Sequence, residues 1–295
     1  MFYKKGVFLP DRIFNLKNKE KLIEYIMNLL IEVNDKIILS YFKNLHMNDI
    51  STKTADDDFV TIADKKSEDW LSNRLLGYLN ISEFVGEETS YKNNNFLNLL
   101  KEPLIWIIDP IDGTKNYVKG DNKFCSMISI ASYGVPIATF VYQPLKNQMV
   151  YALKGCGTFL INIENNIKKR ISIPEVDENK IIGSGSTKGI PETYRDEIMK
   201  CLKTHTKRVF IGSAGIEAMM LAKNEIQFIF HGRVTPWDHS PLSLIVKEAG
   251  GFVYMARDKE PFSIKSEGPI LAASNSNIWN KIRNITIPID SSYRI

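Results

Sequence analysis

The chain has 295 residues, of which 44% are hydrophobic and 24% are charged. This balance is typical of a globular protein with a sizeable core, and it excludes disordered, collagen-like and disulfide-framed chains. A net charge of +4 is too small for the basic surface that nucleic acid requires, so we expect no nucleic-acid partner. Cys125, Cys156 and Cys201 are odd in number and far apart, which favours a reducing, cytoplasmic location without a cysteine zinc site.

Two long uncharged or amphipathic stretches stand out in the first half of the chain. Apolar residues recur at helical spacing from Asn18 to Lys43 and predict a long helix with one face on the core. No charge occurs from Phe124 to Leu145, a stretch about long enough to cross a bilayer. Its alternating residues and the turn at Gly134–Pro136 predict two hairpin strands instead, so we expect no membrane partner.

A composition shift after the middle of the chain marks a possible domain seam. A shorter helix is predicted after Asp64, and strands are predicted at Phe84–Val85, Leu104–Ile108 and Gln148–Ala152. The segment from Ile163 to Lys180 is rich in Lys, Asn and Glu, although it could be only a surface strand and loop. We expect an N-terminal α+β domain over 1–177 and a C-terminal α/β domain over 178–295.

Strands and helices alternate beyond the seam, which is typical of an α/β unit. The predicted strands are Ile181–Ile182, Val209–Ile211, Gln227–Phe230, Phe252–Met255 and Ile270–Ala273. The predicted helices are Glu192–Thr204, Ala214–Lys223, Pro241–Ala249 and Asn277–Asn284.

The sharpest local feature is the acidic motif from Asp109 to Thr114, which directly follows the apolar strand ending at Ile108. A tight turn would bring Asp109 and Asp112 into one small volume, and Gly113 and Thr114 would expose amides to an anion. On its own, a stretch of this kind is more often an ordinary turn. The motif therefore needs companions before it indicates a site.

Two further acidic motifs supply those companions. Glu87 and Glu88 follow a predicted strand, and Trp237 and Asp238 precede a predicted helix. Magnesium requires hard oxygen ligands, and a pair of ions requires a shared carboxylate. Acidic residues from separate elements would meet that requirement, although Glu88 could be solvated and Asp238 could be only a helix N-cap.

Other chemistry-bearing patterns are weaker. The glycine-rich stretch Gly183–Lys188 lacks the spacing of a P-loop and is interpreted as a loop or strand end. His231 and His239 have no close thiol or second ligand, so zinc is not expected.

Taken together, these motifs resemble the inositol monophosphatase superfamily of magnesium-dependent phosphatases. The resemblance covers about residues 20 to 275, in order, and rests on these segments: Asp58–Asp64, Gly86–Glu88, Asp109–Thr114, Gly155–Phe159, Gly212–Ala214, Trp237–Asp238 and Glu248–Gly251. It implies a layered α/β/α/β/α fold like that of inositol monophosphatase and fructose-1,6-bisphosphatase. The N-terminal half would carry most metal ligands, and the C-terminal half would supply Asp238 and the substrate wall.

The resemblance also implies the cofactor, two to three magnesium ions per site. One ion would be held by Glu87, Asp109 and the main-chain carbonyl of Ile111. A second would be held by Asp109, Asp112 and Asp238. A third ion, bound more loosely, would be held by Glu87 and water molecules.

Catalytic and substrate-binding roles follow from the same resemblance. Thr114 and Asp64 match the pair that orients and deprotonates the attacking water, and Lys53 matches a basic residue near the active-site loop. His231 stands where inositol-preferring relatives have an acidic residue, so Glu217 is an alternative source of a carboxylate. The matching substrate-binding positions are Gly113, Thr114, Ser213, Ala214, Glu217 and His231.

The activity that the resemblance implies is magnesium-dependent hydrolysis of inositol monophosphate, or of a similar small phosphorylated metabolite, by metal-activated water. The open alternatives are a relative acting on 3′-phosphoadenosine nucleotides, fructose 1,6-bisphosphate or histidinol phosphate, and a non-catalytic regulatory paralogue. A homodimer is expected because the superfamily commonly forms one.

Overall fold

The computed structural model describes residues 16–53, 58–81, 83–90, 99, 102–178 and 180–287. The α-helices of four residues or more in this part, numbered in chain order, are α1 Leu16–Val33, α2 Ile62–Leu75, α3 Glu87–Ser90, α4 Thr114–Val118, α5 Glu192–His205, α6 Ala214–Ala222, α7 Pro236–Glu248 and α8 Ser276–Thr286. The strands are β1 Ile50–Thr52, β2 Phe59–Thr61, β3 Phe84–Gly86, β4 Ile105–Asp112, β5 Cys125–Ser132, β6 Val135–Gln143, β7 Gln148–Leu153, β8 Gly157–Asn162, β9 Ile167–Ile171, β10 Ile182–Ser186, β11 Lys207–Arg208, β12 Phe228–His231, β13 Phe252–Met255 and β14 Ile270–Ala273.

The described strands form two large sheets and the small hairpin β1–β2. The first large sheet has the strand order β3-β4-β5-β6-β7-β8-β9, in which only β3 and β4 run parallel. The second has the order β11-β10-β12-β14-β13, and β10 is parallel to both of its neighbours. Most neighbouring strands of the first sheet are joined by short connections, as an antiparallel sheet permits.

Three apolar clusters separate the layers. The first lies between α1–α2 and the seven-stranded sheet and includes Leu22 and Trp106. The second lies on the opposite face of that sheet, where α6 and α7 pack between the two sheets. The third lies between the five-stranded sheet and the outer helices α5 and α8, around Trp279. The layering is therefore α/β/α/β/α, which confirms the predicted fold class.

The predicted N-terminal helix is confirmed, but it changes geometry near its end. After α1 the chain forms a π-helical turn at Asn34–Ile38 and a last α-helical turn at Leu39–Tyr41. The buried Asn34 amide donates to the carbonyl of Leu30 over 2.8 Å and to Ser126 Oγ over 2.9 Å. This polar link ties the widened turn to the first sheet.

The uncharged stretch from Phe124 to Leu145 contains β5 and β6, so the predicted hairpin is confirmed. Every residue of β5 is buried, because the strand lies in the middle of the sheet with helices on both faces. No described helix combines the length and apolar character needed to cross a membrane.

Three sequence predictions are wrong in their bounds. The helix predicted after Asp64 begins before that residue, at Ile62, and contains Asp64 in its first turn. The strand predicted at Val209–Ile211 lies instead at Lys207–Arg208, and the chain then leaves the sheet with Phe210 75% exposed. The helix predicted from Pro241 begins five residues earlier, at Pro236, with Thr235 as N-cap. Both Pro236 and Pro241 fit a helix start, because proline is favoured in the first turn.

The change from one sheet to the other falls between β9 and β10. The predicted division at residues 177 and 178 lies in this interval, but the central helices α6 and α7 contact both sheets. The two-domain division stays a prediction.

Candidate active site

Strand β4 carries Asp109 and Asp112 on a β-bulge. Asp109 pairs with Met127 and Asp112 pairs with Cys125, so three steps along β4 face two steps along β5. The expected tight turn after Ile108 is therefore wrong, since the strand continues to Asp112. The bulge has the same consequence as the turn, because it brings both carboxylates to one end of the strand.

Helix α7 supplies the third carboxylate from the other half of the chain. Asp238 lies in the first turn of α7, and Thr235 Oγ1 donates to Asp238 Oδ2 over 2.8 Å. Thr235, not Asp238, is the N-cap, so the interpretation of Asp238 as a simple cap is wrong. One carboxylate oxygen from each of Asp109, Asp112 and Asp238 lies within 4.8 Å of the others.

The three carboxylates have the electrostatics of a cation site. Burial, reinforced by the charges of Glu87 and the neighbouring carboxylates, raises the pKa of Asp109 well above its ordinary value. Burial and the charge of Asp238 raise the pKa of Asp112 to about 7. Within the described part of the chain, Asp109 Oδ1 is buried without a hydrogen-bond partner. An all-oxygen cluster with an orphaned carboxylate oxygen fits magnesium, which would neutralise the repulsion.

Asp112 is held in place from the second half of the chain. Its Oδ2 accepts hydrogen bonds from Ser213 Oγ over 2.6 Å and from the backbone N–H of Gly215 over 2.7 Å. Ser213 is also the N-cap of α6, and it accepts from the N–H of Ile216. Ala214, the first residue of α6, lines the same cavity as Asp109, Asp112 and Asp238. The Gly212–Ala214 segment therefore positions the Asp112 carboxylate within the acidic cluster.

Glu87 and Glu88 open the short helix α3 and meet a lysine from the β1–β2 hairpin. Lys53 Nζ lies 2.8 Å from Glu87 Oε1 and 2.7 Å from Glu88 Oε1. Burial raises the pKa of Glu87 to about 8 and that of Glu88 to about 7, although Lys53 opposes both shifts. Glu88 is buried, so the interpretation of it as solvated is wrong. Glu87 lines the cavity but lies outside the three-carboxylate cluster.

A buried hydroxyl and carboxylate lie next to the bulge. Thr114 Oγ1 is 3.3 Å from Asp64 Oδ1 and 2.9 Å from the carbonyl oxygen of Ile111. The backbone N–H of Thr61 donates to Asp64 Oδ2 over 2.8 Å, which orients the carboxylate. Burial raises the pKa of Asp64, against hydrogen bonds that lower it. The structure therefore brings Asp64 and Thr114 together, as the sequence predicted.

Gly113 joins the bulge to α4 in a left-handed conformation, with φ of +89°. A Cβ at this position would lie 2.7 Å from the carbonyl oxygen of Lys123. Only glycine combines this φ with so close a backbone approach. The turn thereby places Thr114 at the start of α4.

The predicted substrate wall contains a chain of polar contacts. His231 is the last residue of β12, and its Nε2 lies 2.7 Å from Glu217 Oε2. His231 Nδ1 lies 2.9 Å from His239 Nε2, and Ser184 Oγ donates to Glu217 Oε1. Burial alone would lower the pKa of His231, but the Glu217 carboxylate raises it. Both nitrogens of His231 are already engaged, and their role toward substrate stays a prediction.

One cavity of about 340 Å³ connects these groups. Sequence reasoning named most of its acidic lining but gave no site role to Phe59, Ser184, Lys188, Phe210 and Arg233. For Lys188 the available signal was the Gly183–Lys188 stretch, which is strand β10 and the turn after it. Phe210 and Arg233 adjoin motifs that were recognised, but nothing in their own residue type marked them.

Comparison with known proteins agrees with this site. The model of the inositol monophosphatase family matches residues 18–286. Inositol monophosphatase 1 of Solanum lycopersicum is 29% identical over 75% of this chain and 80% of its own length. A fructose-1,6-bisphosphatase/inositol-1-monophosphatase of Thermotoga maritima is 26% identical over 81% of this chain and 86% of its own length.

A solved structure has the same fold. It is an IMPase/NADP phosphatase complexed with Mg2+ and phosphate, with a TM-score of 0.71 and 20% identity, covering 97% of this chain and 99% of that one. The family match spans the helices, both sheets and each acidic motif of the site. The chain belongs to the inositol monophosphatase family.

Proposed function

We propose that the protein is a magnesium-dependent phosphomonoesterase that hydrolyses inositol monophosphate or a similar small phosphate ester. The observation that carries the proposal is the convergence of Asp109, Asp112 and Asp238 beside the Asp64–Thr114 pair. Family membership supports the same reaction class.

The residues that would hold the cofactor all offer oxygen. Asp109, Asp112 and Asp238 are the central ligands, and Glu87 and the carbonyl oxygen of Ile111 would complete them. The Ile111 oxygen accepts the Thr114 hydroxyl over 2.9 Å, and a carbonyl oxygen carries a second lone pair. Magnesium, when bound, supplies positive charge that lowers the pKa of water and stabilises negative charge on phosphate oxygens.

The chain's own groups orient the nucleophile and handle its proton. Thr114 can accept a hydrogen bond from a water through a lone pair while its own proton points to Asp64 or Ile111. Asp64 Oδ1 is the carboxylate oxygen nearest to the Thr114 hydroxyl, and the buried setting that raises the Asp64 pKa makes it a stronger base. We assign Lys53 to the charge balance around Glu87, because its ammonium contacts that carboxylate directly.

The remaining parts of the proposal concern the substrate wall and the assembly. Gly113, Ser213, Ala214, Glu217 and His231 are its proposed substrate-facing positions, and all five line the cavity. We also propose the division at residues 177 and 178, a homodimer and a cytoplasmic location. Light scattering after size-exclusion chromatography would test the dimer.

A phosphate-release screen tests the activity directly. The purified protein would be assayed with magnesium, and with excess chelator, on inositol 1-phosphate, glycerol 2-phosphate, histidinol phosphate and nucleotide phosphates. We expect magnesium-dependent release from several small esters. No release from any of them would contradict the proposal and favour a non-catalytic regulatory paralogue.

A further inference from the structure

His239 is a buried residue of α7 whose two ring nitrogens contact different elements. It follows Asp238 directly, it is only 2% exposed, and its ring centroid lies 6.2 Å from that of Phe262. Its Nδ1 lies 3.0 Å from the backbone N of Thr235, and its Nε2 lies 2.9 Å from Nδ1 of His231 on β12. His239 therefore lies between the start of α7 and the substrate wall.

The hydrogen bonds of this group share one direction, which is set by a single donor. A backbone N–H can only donate, so the N–H of Thr235 makes His239 Nδ1 an acceptor. With both rings neutral, the proton of His239 is on Nε2, which donates to His231 Nδ1. His231 then carries its proton on Nε2 and donates to Glu217 Oε2 over 2.7 Å. The carbonyl oxygen of Thr235, 3.1 Å from His239 Nδ1, already accepts the backbone N–H of His239.

Each end of this hydrogen-bonded chain holds a group that the proposed function uses. At one end, Thr235 Oγ1 donates to Asp238 Oδ2 over 2.8 Å, so the residue that His239 contacts also orients a proposed metal ligand. At the other end, the Glu217 carboxylate is buried and also accepts the hydroxyl of Ser184. Loss of one partner from a buried hydrogen bond is costly, because the other partner stays buried and unpaired. A change at His239 would therefore affect both ends.

We propose that His239 is a positioning residue that acts through both ring nitrogens: Nδ1 holds Thr235 beside Asp238, and Nε2 holds His231 against Glu217. This inference rests on the proposed function, in which Asp238 binds magnesium and His231 and Glu217 face the substrate. It deepens that function by adding a residue that joins the metal site to the substrate wall. In this role His239 acts through its neighbours and does not touch the reacting atoms.

Two conservative replacements separate the two contacts. Asparagine carries a polar atom on Cγ, where the histidine ring carries Nδ1, and glutamine carries one a bond farther out, near the place of Nε2. His239→Asn should therefore keep the contact with Thr235 and lose the contact with His231, whereas His239→Gln should do the reverse. His239→Leu should lose both contacts.

His205→Leu on α5 is the matched control for replacing a histidine. His205 is exposed, and its Nδ1 lies 2.9 Å from the carbonyl oxygen of Cys201 in the same helix. It does not line the active-site cavity. We expect magnesium affinity and KM to stay at their wild-type values in this variant.

Magnesium affinity is the first readout, and it requires no substrate. Isothermal titration with magnesium should show an affinity loss of about two- to tenfold for His239→Gln, the cost of one neutral hydrogen bond. His239→Asn should keep the wild-type affinity. His239→Leu should show the same loss as His239→Gln.

The Michaelis constant is the second readout, measured on the best ester from the phosphate-release screen. For His239→Asn, KM should rise about two- to tenfold while kcat stays within about twofold of the wild type. For His239→Gln, KM should stay near the wild-type value, and for His239→Leu it should rise as in His239→Asn.

Nitrogen-15 NMR of the imidazole rings tests the direction of the hydrogen bonds in the wild-type protein. The signals of His239 are identified by their loss in His239→Gln. We expect a proton on Nε2 of His239 and none on Nδ1. A proton on Nδ1 would contradict the inference, because the N–H of Thr235 could then not donate to it.

Two further outcomes would overturn the inference. Equal changes of magnesium affinity and of KM in His239→Asn and His239→Gln would show that the two contacts have no separate roles. A lower melting temperature with both readouts unchanged would mark His239 as purely structural. Either result, obtained with an active wild type, leaves the proposed function intact. Absence of wild-type turnover on every ester would instead defeat the proposed function and this inference with it.

Discussion

The carboxylate of Glu68 occupies the space in which a side chain at Gly86 would stand, since a Cβ on Gly86 would lie 2.3 Å from Glu68 Cδ. The same carboxylate accepts the backbone N–H groups of Glu88 and Thr89, each over 2.8 Å. Glu68 belongs to α2, so one helix fixes the start of the next and, with it, the position of Glu87. This contact could not be predicted from local sequence, because Glu68 lies 20 residues from Glu88 and 21 from Thr89.

Glu68→Gln should weaken magnesium binding more than it weakens the fold. Glutamine has one acceptor oxygen in place of two, so at least one bond to the start of α3 is lost and Glu87 is less well oriented. Loss of a group that orients a metal ligand typically costs about 10- to 100-fold in metal affinity. Isothermal titration with magnesium measures the change.

Ser72→Ala is a suitable control for the Glu68 variant, because Ser72 is buried on the same helix and its hydroxyl donates to the carbonyl oxygen of Asp69, within that helix. The positioning role predicts that magnesium affinity falls only for Glu68→Gln. A fall in melting temperature with unchanged magnesium affinity would instead mark Glu68 as purely structural.

Asp109→Asn should abolish magnesium-dependent turnover while keeping the metal-free protein at least as stable as the wild type. Repulsion among buried carboxylates raises the pKa of Asp109, and a neutral amide removes that repulsion. Carboxylate oxygens of Asp109 and Asp238 lie within 4.8 Å of each other, so an amide at position 109 could donate to Asp238. Turnover assays and melting temperatures, each with and without magnesium, test both parts of this prediction. A magnesium-induced rise in melting temperature equal to that of the wild type would refute the ligand assignment.

Magnesium binding should release protons near neutral pH. The pKa of Glu87 is raised from 4.5 to about 8, and that of Asp112 from 3.8 to about 7, so the metal-free site holds protons that a cation displaces. Calorimetry near pH 7 in two buffers of different ionisation enthalpy counts them. Equal heats in the two buffers would show that no proton is released.

The same pKa shifts set the pH dependence of stability. Between the ordinary and the raised pKa values, the folded metal-free protein binds more protons than the unfolded chain, so its free energy of unfolding falls as pH rises. Its melting temperature should therefore decrease across the range from about pH 5 to about pH 8. The stabilisation by saturating magnesium should increase over the same range.

Thr114→Ala should lower kcat more than it raises KM, because the hydroxyl is proposed to position the attacking water. Acid-base and positioning effects of this kind are typically worth about 10² to 10⁴ in rate. Thr114→Ser keeps the hydroxyl and is the matched control. Asp64→Asn should resemble Thr114→Ala, and a double variant much worse than the product of the single effects would contradict a shared unit.

The acidic motifs could be predicted from the sequence because each follows or begins an element whose apolar pattern is clear. β4, for example, has eight buried residues and ends in Asp112. Its β-bulge could not be predicted, since the register is set by pairing with β5. Likewise, the sequence offered two prolines as starts for α7, and the local pattern does not decide between them.

The wall of the cavity was the least predictable part. The side chains of His231, Glu217 and Ser184 are brought together by packing among β12, α6 and β10. No local sequence pattern predicts these contacts. Arg233 depends on the bare backbone of Gly189, which lies in a different loop. Contacts of this kind arise only when distant segments have packed.

The central layer formed by α6 and α7 determines when a newly synthesised chain can acquire phosphatase activity. The whole first sheet, with Asp109 and Asp112, is synthesised before Asp238 leaves the ribosome. The acidic cluster therefore comes together only after the second half has docked onto that sheet. A nascent or truncated chain has no assembled cluster, so phosphatase activity is withheld until the two halves have joined.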